Sequence, residues 1–440
     1  MSLGKTSGAE ARLRPRDDAG LLWAPLLAIA SAAFAVEIPF FFFGTPSGHD
    51  VEFHLYSWLE VLAQWKHGII YPRWAALAHF AYGEPRFVFY PPASWTLGAL
   101  LSAIFPWTVA SCIYLWIALV AAGVAMFVLV RRWLTRRDAI FVAVLYAANP
   151  YHLVIVYWRS AFAELLASCL VPLLLLCVLR AVERGRRAMV PLALVLAAAW
   201  LTNAPAAVMI HYSLALLLLW VAWQRRAPRL LLVGAGAVAL GACLAAFYLL
   251  PAIYEQRWID IAQAVSAGSR PADNFLFIHT TDADHDAFNR IVTWLAVLEM
   301  MVIVVAAWAA RQCQEMLREL WNVLVAWAVG CSVLMFPVAA VLWKFLPIQN
   351  AASRSPSTRT GLALLPSTGQ CEWCGAASRP GPSECARLPL PPPYRHRYQW
   401  RRCPRSNCPG GRPPSPLVPS VSDRCPGFPP RYRIRVRVPR

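Results

Sequence analysis

The chain has 440 residues, of which 58% are hydrophobic and only 15% are charged, and its mean hydropathy is +0.47. This balance excludes an ordinary soluble domain, in which about a quarter of the residues are charged. The formal net charge is +18 at pH 7, and most of it falls in the last ninety residues. The composition therefore predicts an integral membrane protein whose main solvent is lipid.

Long apolar runs predict α-helices that cross the membrane. A helix needs roughly 20 apolar residues to cross the hydrocarbon core, and seven runs are about that long. The stretch 190–223 is longer than one span and has Asn203 and Pro205 near its middle, so we expect a hairpin of two short helices and about nine spans in an all-α domain over residues 20–347. The seven runs are 21–43, 108–130, 139–157, 162–179, 230–250, 291–310 and 320–343.

The first run has a second interpretation as a cleaved secretory signal, because Ala33-Phe34-Ala35 resembles a small-residue cleavage site. The apolar run continues to Phe43, which is longer than the core of a signal peptide and long enough for a permanent anchor. We therefore expect a membrane helix that follows a basic cytoplasmic arm at residues 1–19.

The positions of the arginines predict the orientation of the helices, because short loops rich in Lys and Arg stay in the cytoplasm. If the N-terminal arm and the basic cluster 131–137 share that side, the segment 92–107 cannot cross the membrane. This segment is apolar but has only sixteen residues, and we expect it to dip into the membrane or lie along it. The external side then receives the loop 44–91, a short turn at 151–160 and the loop 254–290.

The segment 348–440 has a different composition. Its last ninety residues hold sixteen Arg, three acidic residues and half of the 36 prolines, which predicts a disordered tail. The charge could attract nucleic acid or anionic lipid, but we expect a solvated tail and no nucleic-acid partner. The abrupt change after Ile348 also fits translation of a shifted reading frame, and the cysteine pairs resemble a zinc site only weakly. These pairs are Cys371-x2-Cys374 and Cys403-x4-Cys408.

The first external loop concentrates polar residues that have no obvious structural purpose. Asp50 and His54 follow the first span and are four residues apart, so on a helix they share a face. A carboxylate and an imidazole on one face can handle a proton or a divalent cation. A hydrated cap beside an interfacial belt of Trp and Tyr explains the same residues without chemistry.

Several motifs resemble those of bacterial membrane proteins labelled "6-pyruvoyl-tetrahydropterin synthase-related". The resemblance covers roughly residues 21–347 and says little about chemistry, since true pterin synthases are small soluble zinc enzymes and no corresponding histidine triad is visible. The motifs are Asp50-x-Glu52-x-His54, Tyr71-Pro72-Arg73-Trp74, Tyr82-Gly83-Glu84-Pro85, Asn149-Pro150-Tyr151-His152 and Arg159-Ser160-Ala161-Phe162-Ala163-Glu164.

The layout also resembles the C-type (GT-C) glycosyltransferases, which take sugars from polyprenyl-phosphate donors and carry an acidic motif in the first external loop. This resemblance implies a multi-pass enzyme of the bacterial inner membrane, with Asp50 as the catalytic base and Glu52 as a neighbouring acid. The chain departs from many members in lacking their soluble C-terminal domain or later helices.

The residue types fit such a reaction, because a partly buried carboxylate suits a general base and a cation stabilises a departing phosphate. Arg159, Arg73 or a divalent cation held by Asp50 and Glu52 could supply that charge, although Arg159 could simply snorkel to the interface. No dedicated metal site is expected. The candidates are catalytic Asp50 and Glu52, and substrate-binding His54, Arg73, His152, Arg159 and Glu164.

Two other classes remain open. A transporter or lipid flippase would also place polar residues at helix breaks such as the one at Asn203 and Pro205. A non-catalytic membrane assembly protein is the third class. In all three cases membrane lipid is a partner.

Overall fold

The computed structural model describes residues 23–258, 270–310 and 315–345, and every regular element in these ranges is a helix. One isolated antiparallel bridge, Ala75 with Glu84, lies in the loop 44–91. The prediction of an all-helical membrane domain is confirmed for this part of the chain. The arm at 1–19 and the tail at 348–440, with its cysteine pairs, lie outside the described residues.

The main helices are numbered here in chain order, and shorter helical turns connect them. The main helices are α1 Trp23–Glu37, α2 Val51–Lys66, α3 Pro92–Ile104, α4 Trp107–Val130, α5 Arg136–Ala147, α6 Pro150–Val154, α7 Phe162–Ala167, α8 Leu170–Arg184, α9 Met189–Thr202, α10 Ala204–Gln224, α11 Arg229–Leu244, α12 Ala246–Glu255, α13 Ala283–Ala310, α14 Glu315–Leu334 and α15 Ala340–Phe345. The shorter turns are Phe40–Phe43, Ala78–Ala81, Arg86–Phe89, Ile155–Arg159, Gly185–Ala188, Gln256–Trp258, Pro271–Asp273 and Pro337–Ala339.

Within the described residues, six helical stretches are long and apolar enough to cross a membrane. Two further pairs, α11 with α12 and α14 with the turn after it, are bent by 78° and 83° and raise the count to at most eight. The expected nine spans are not confirmed. The difference lies mainly in Phe162–Thr202. This range of 41 residues counts as one helical stretch in the structure, whereas the sequence analysis assigned it to two spans. Gly185, at φ +55°, interrupts this stretch, and α8 and α9 pack against each other.

Two local predictions agree with the structure. Helix α3 is an apolar helix of 13 residues, about 20 Å long at 1.5 Å per residue and therefore too short to cross the hydrocarbon core. Asn203 is extended between α9 and α10, and its side chain accepts a hydrogen bond from the Ala206 backbone N–H. The break in the 190–223 stretch thus lies at the predicted residue.

The turn predicted at 151–160 is wrong, because the chain stays helical through Arg159. Pro150 begins α6 after the Asn149 cap, and Ile155–Arg159 forms a π-helical turn. Ser160 then adopts a left-handed conformation, φ +52°, and ends the helix. π-Helical turns are frequent at functional sites, and this one places Arg159 at the end of a membrane helix.

A stack of aromatic rings fixes helix α2 against the membrane bundle. Trp58 of α2 lies 5.3 Å from Tyr114 of α4 and 5.4 Å from Phe162 of α7, measured between ring centroids. All three side chains are fully buried. Gly98 of α3 lies against the Trp58 ring so closely that a Cβ there would be 1.9 Å from an indole carbon. This packing sets the position of the residues at the N-terminus of α2.

Candidate functional site

The backbone before α2 lies directly against the end of the π-helical turn. The Asp50 N–H donates to the Arg159 carbonyl at 2.8 Å, and the Gly48 N–H donates to the Ser160 hydroxyl at 3.1 Å. A Cβ at Gly48 would lie 2.5 Å from the Trp158 carbonyl oxygen, so the approach requires glycine. Two segments more than a hundred residues apart are thereby joined by backbone hydrogen bonds.

A guanidinium lies between two carboxylates at this junction. Arg159 Nη1 lies 2.8 Å from Glu164 Oε2, and Nη2 lies 3.4 Å from Asp50 Oδ2. The Tyr151 hydroxyl donates to Glu164 Oε1 at 2.6 Å, and His49 Nδ1 lies 2.8 Å from Asp50 Oδ1. Asp50 itself is only 5% exposed. Its carboxylate is therefore held from both sides, and so is that of Glu164.

The pKa values of the two histidines beside Asp50 shift in opposite directions. The hydrogen bond to Asp50 raises the pKa of the exposed His49. Burial lowers the pKa of His54 to about 4, so that His54 is neutral at pH 7. The His54 ring stacks on Phe162 at 5.1 Å, and its Nδ1 lies 3.4 Å from the Tyr90 hydroxyl. His54 thus offers a neutral hydrogen-bonding group.

These groups line a cavity of about 770 Å³. Apolar side chains of the membrane helices α8 and α10 line the same cavity. Asp50 and His54 of the loop 44–91 therefore share one cavity with residues at membrane level. The polar lining includes Asp50, His54, Tyr151, His152, Arg159 and Glu164, and the apolar lining includes Val171, Leu174, Met209 and Ile210.

A family model described as "6-pyruvoyl-tetrahydropterin synthase related domain; membrane protein" matches residues 87–349. This chain belongs to that family. No curated protein and no solved structure matches the chain. The matched region of this pterin synthase-related membrane protein contains Arg159, Glu164 and most of the cavity wall, whereas Asp50 and His54 precede it.

The structure of this family member brings five of the seven predicted site residues to the cavity. Glu52 and Arg73 do not line it. Glu52 is exposed, because two residues along a helix lead to nearly the opposite face from Asp50. Arg73 is exposed as well, with its guanidinium 6.0 Å from the centre of the Tyr71 ring. The five residues that do line the cavity are Asp50, His54, His152, Arg159 and Glu164.

A cation shared by Asp50 and Glu52 finds no support in this arrangement. Among the described residues, no three His, Cys, Asp or Glu side chains form a group that could hold a metal ion. His152, which also lines the cavity, is buried, and its Nδ1 lies 3.1 Å from the Ala147 carbonyl oxygen.

The candidate site residues chosen from the sequence did not include the polar residues that reach the cavity from the membrane helices. Glu299 of α13 and Asn203, the residue between α9 and α10, both line it. So does Trp327 of α14, whose buried indole N–H has no hydrogen-bond partner in the described part of the chain. Glu299 carries the clearest sequence signal, since an acidic residue within an apolar span indicates a function by default.

Proposed function

We propose that this protein is a GT-C-like glycosyltransferase of the bacterial inner membrane, which moves a sugar from a polyprenyl-phosphate donor to an acceptor on the external side. The observation that supports it is the cavity of about 770 Å³, whose lining combines ionisable groups with apolar side chains of the membrane helices. An amphiphile with a charged headgroup and a hydrocarbon chain matches both kinds of lining.

Asp50 is the proposed general base. The acceptor hydroxyl oxygen forms a bond to sugar C1 while the bond from C1 to the phosphate oxygen breaks, and the Asp50 carboxylate takes the hydroxyl proton. A positioned base of this kind contributes about 10²- to 10⁴-fold to the rate. Asp50 suits the role because it lines the cavity at the N-terminus of α2 and is only 5% exposed.

Arg159 is the proposed phosphate ligand. Its contact with Glu164 is 2.8 Å and its contact with Asp50 is 3.4 Å, so the bond to Asp50 is the looser of the two. A guanidinium has further N–H donors and binds phosphate oxygens well. A donor phosphate that takes over Nη2 would leave Glu164 in place and would free Asp50 to accept a proton.

His54 is proposed to bind a sugar hydroxyl rather than to transfer a proton. Because burial lowers its pKa to about 4, it is a poor acid at neutral pH, yet it can accept and donate hydrogen bonds. Glu52 and Arg73, which lie outside the cavity, have no part in this proposal.

The test uses the purified protein in lipid nanodiscs with a panel of polyprenyl-phosphate sugars and candidate acceptors. Release of polyprenyl phosphate that requires both protein and acceptor is the expected result. Asp138→Asn is a matched control for the later carboxylate variants, since Asp138 is exposed at the start of α5 and caps that helix with Thr135. If none of the donors is cleaved, the proposal is contradicted.

A transporter or lipid flippase is the second candidate, and two observations favour it. The helix break at Asn203 and the intramembrane carboxylate of Glu299 both line the same cavity, and transporters place binding groups at such breaks. Movement of a lipid-linked sugar between leaflets, with the bond from C1 to phosphate intact, would support this candidate over the transferase.

A further inference from the structure

Glu299 lies near the middle of a membrane-spanning helix. In the apolar run 291–310 of α13, eight residues precede it and eleven follow it. At 1.5 Å per residue it is about 13 Å below Arg290 along the helix axis, and the hydrocarbon core is about 30 Å thick. The Glu299 carboxyl is therefore far from both membrane surfaces.

The carboxyl has no counter-charge in the described part of the chain. Glu299 lines the cavity and its side chain is exposed rather than packed. No ion pair or hydrogen bond joins it to another described residue. An unpaired carboxylate at membrane depth is strongly unfavourable, so such groups take up a proton or a cation.

The surroundings of Glu299 do not supply that positive charge. Helix α13 packs against α6 and α14, and the titratable side chains that line the cavity from those two helices are Tyr151, His152 and Cys331. Arg159, the cavity's guanidinium in the described ranges, is already paired with Asp50 and Glu164. The positive charge must therefore come from outside the described chain.

We propose that Glu299 is a membrane-embedded binding site for a single positive charge that reaches it through the cavity, either a proton or a small monovalent cation. The site does not depend on the proposed glycosyl transfer. In both cases one positive charge neutralises the Glu299 carboxylate in an apolar wall. An experiment can distinguish a proton from a metal cation as the source of that charge.

The probe is dicyclohexylcarbodiimide, an apolar reagent that partitions into membranes and reacts with protonated carboxyl groups. The carboxyl oxygen adds to the central carbon of the reagent, the carboxyl proton moves to a reagent nitrogen, and rearrangement gives a stable N-acylurea with no leaving group. The wild-type protein in nanodiscs is labelled over a range of pH, and peptide mass spectrometry measures the adduct at Glu299. Glu52, an exposed carboxylate of the external loop, is the internal reference, and Glu299→Gln confirms the modified position.

We expect labelling at Glu299 to exceed that at Glu52 and to fall about tenfold or more from mildly acidic to mildly alkaline pH, because only the protonated form reacts. Sodium chloride is compared with choline chloride at constant ionic strength. Slower labelling in sodium identifies a metal cation site, and equal rates in both salts identify a proton site. Absence of labelling at Glu299, or the same rate at every pH in both salts, would overturn the proposal. Since no sugar donor is used, this result is independent of whether the glycosyltransferase assay succeeds.

Discussion

The guanidinium of Arg159 lies 3.4 Å from the carboxylate of Asp50, which precedes it by 109 residues. The same guanidinium lies 2.8 Å from Glu164. Arg159 therefore joins the loop 44–91 to the end of a membrane helix, and its pairing affects the charge of the cavity lining.

Replacing Arg159 with Gln should destabilise the protein, because Asp50 and Glu164 would lose their counter-charge. The side chains of Arg159 and Glu164 are 27% and 26% exposed, so the cost should be about 1–3 kcal/mol, below that of breaking a fully buried pair. Thermal unfolding in detergent measures it. Arg132→Gln is the matched control, since its pair with Glu183 is more exposed and should cost less. A larger loss for Arg132→Gln than for Arg159→Gln would contradict the buried pairing.

Because the pKa of His54 is lowered in the folded state, the free energy of unfolding should decrease as the pH decreases. The pKa of the folded state is about 4 against an ordinary value of 6.5, so the unfolded chain binds a proton first as the pH falls. The stabilising contribution is complete above pH 6.5 and is lost between 6.5 and about 4, at most about 3 kcal/mol. The fall in melting temperature from pH 7 to pH 5 should be smaller in His54→Gln than in wild type.

His49 should show the opposite slope, because its hydrogen bond to Asp50 raises its pKa in the folded state. Its contribution is present at low pH and is lost as the pH rises through the folded pKa. Melting temperatures of His49→Gln and wild type over the same pH range measure this contribution. A His49→Gln variant with an unchanged pH slope would show that the pairing with Asp50 is absent in solution.

Tags placed after Arg136, Arg186 and Arg226 should report the cytoplasm, and a tag at Lys66 should report the outside. This prediction rests on the clustering of arginines in short loops. The ion pair of Arg132 with Glu183 also joins two of these clusters. Reporter fusions or cysteine accessibility provide the measurement. If Arg136 and Lys66 report the same side, α3 crosses the membrane after all.

Local features of the fold could be predicted from the sequence because they depend on neighbouring residues. Run length indicated most candidate spans, the length of 92–107 predicted a helix too short to cross, and Asn203 with Pro205 marked the helix break. The pairing of Asp50 with Arg159 could not be predicted, because it depends on how two distant segments pack around Gly48. The role of Glu52 stays a prediction, and helix periodicity places its side chain away from the cavity that Asp50 lines.

The variant Glu52→Gln tests whether Glu52 is a second catalytic acid, as the sequence predicts, or a carboxylate outside the site, as its position in the structure indicates. A second catalytic acid would lose turnover on this change, whereas an exposed carboxylate outside the cavity should leave turnover close to wild type. The assay is release of polyprenyl phosphate by the purified variant. A loss comparable to that of an Asp50 variant would return Glu52 to the site.

The most direct test of the proposed function is the turnover of Asp50→Asn beside wild type, with a donor that the wild-type protein cleaves. The change keeps the size and polarity of the side chain and removes its ability to accept a proton. If Asp50 is the general base, turnover should fall about 10²-fold or more, while gel filtration and thermal unfolding show that the variant is folded. Wild-type turnover by a folded Asp50→Asn protein would contradict the account.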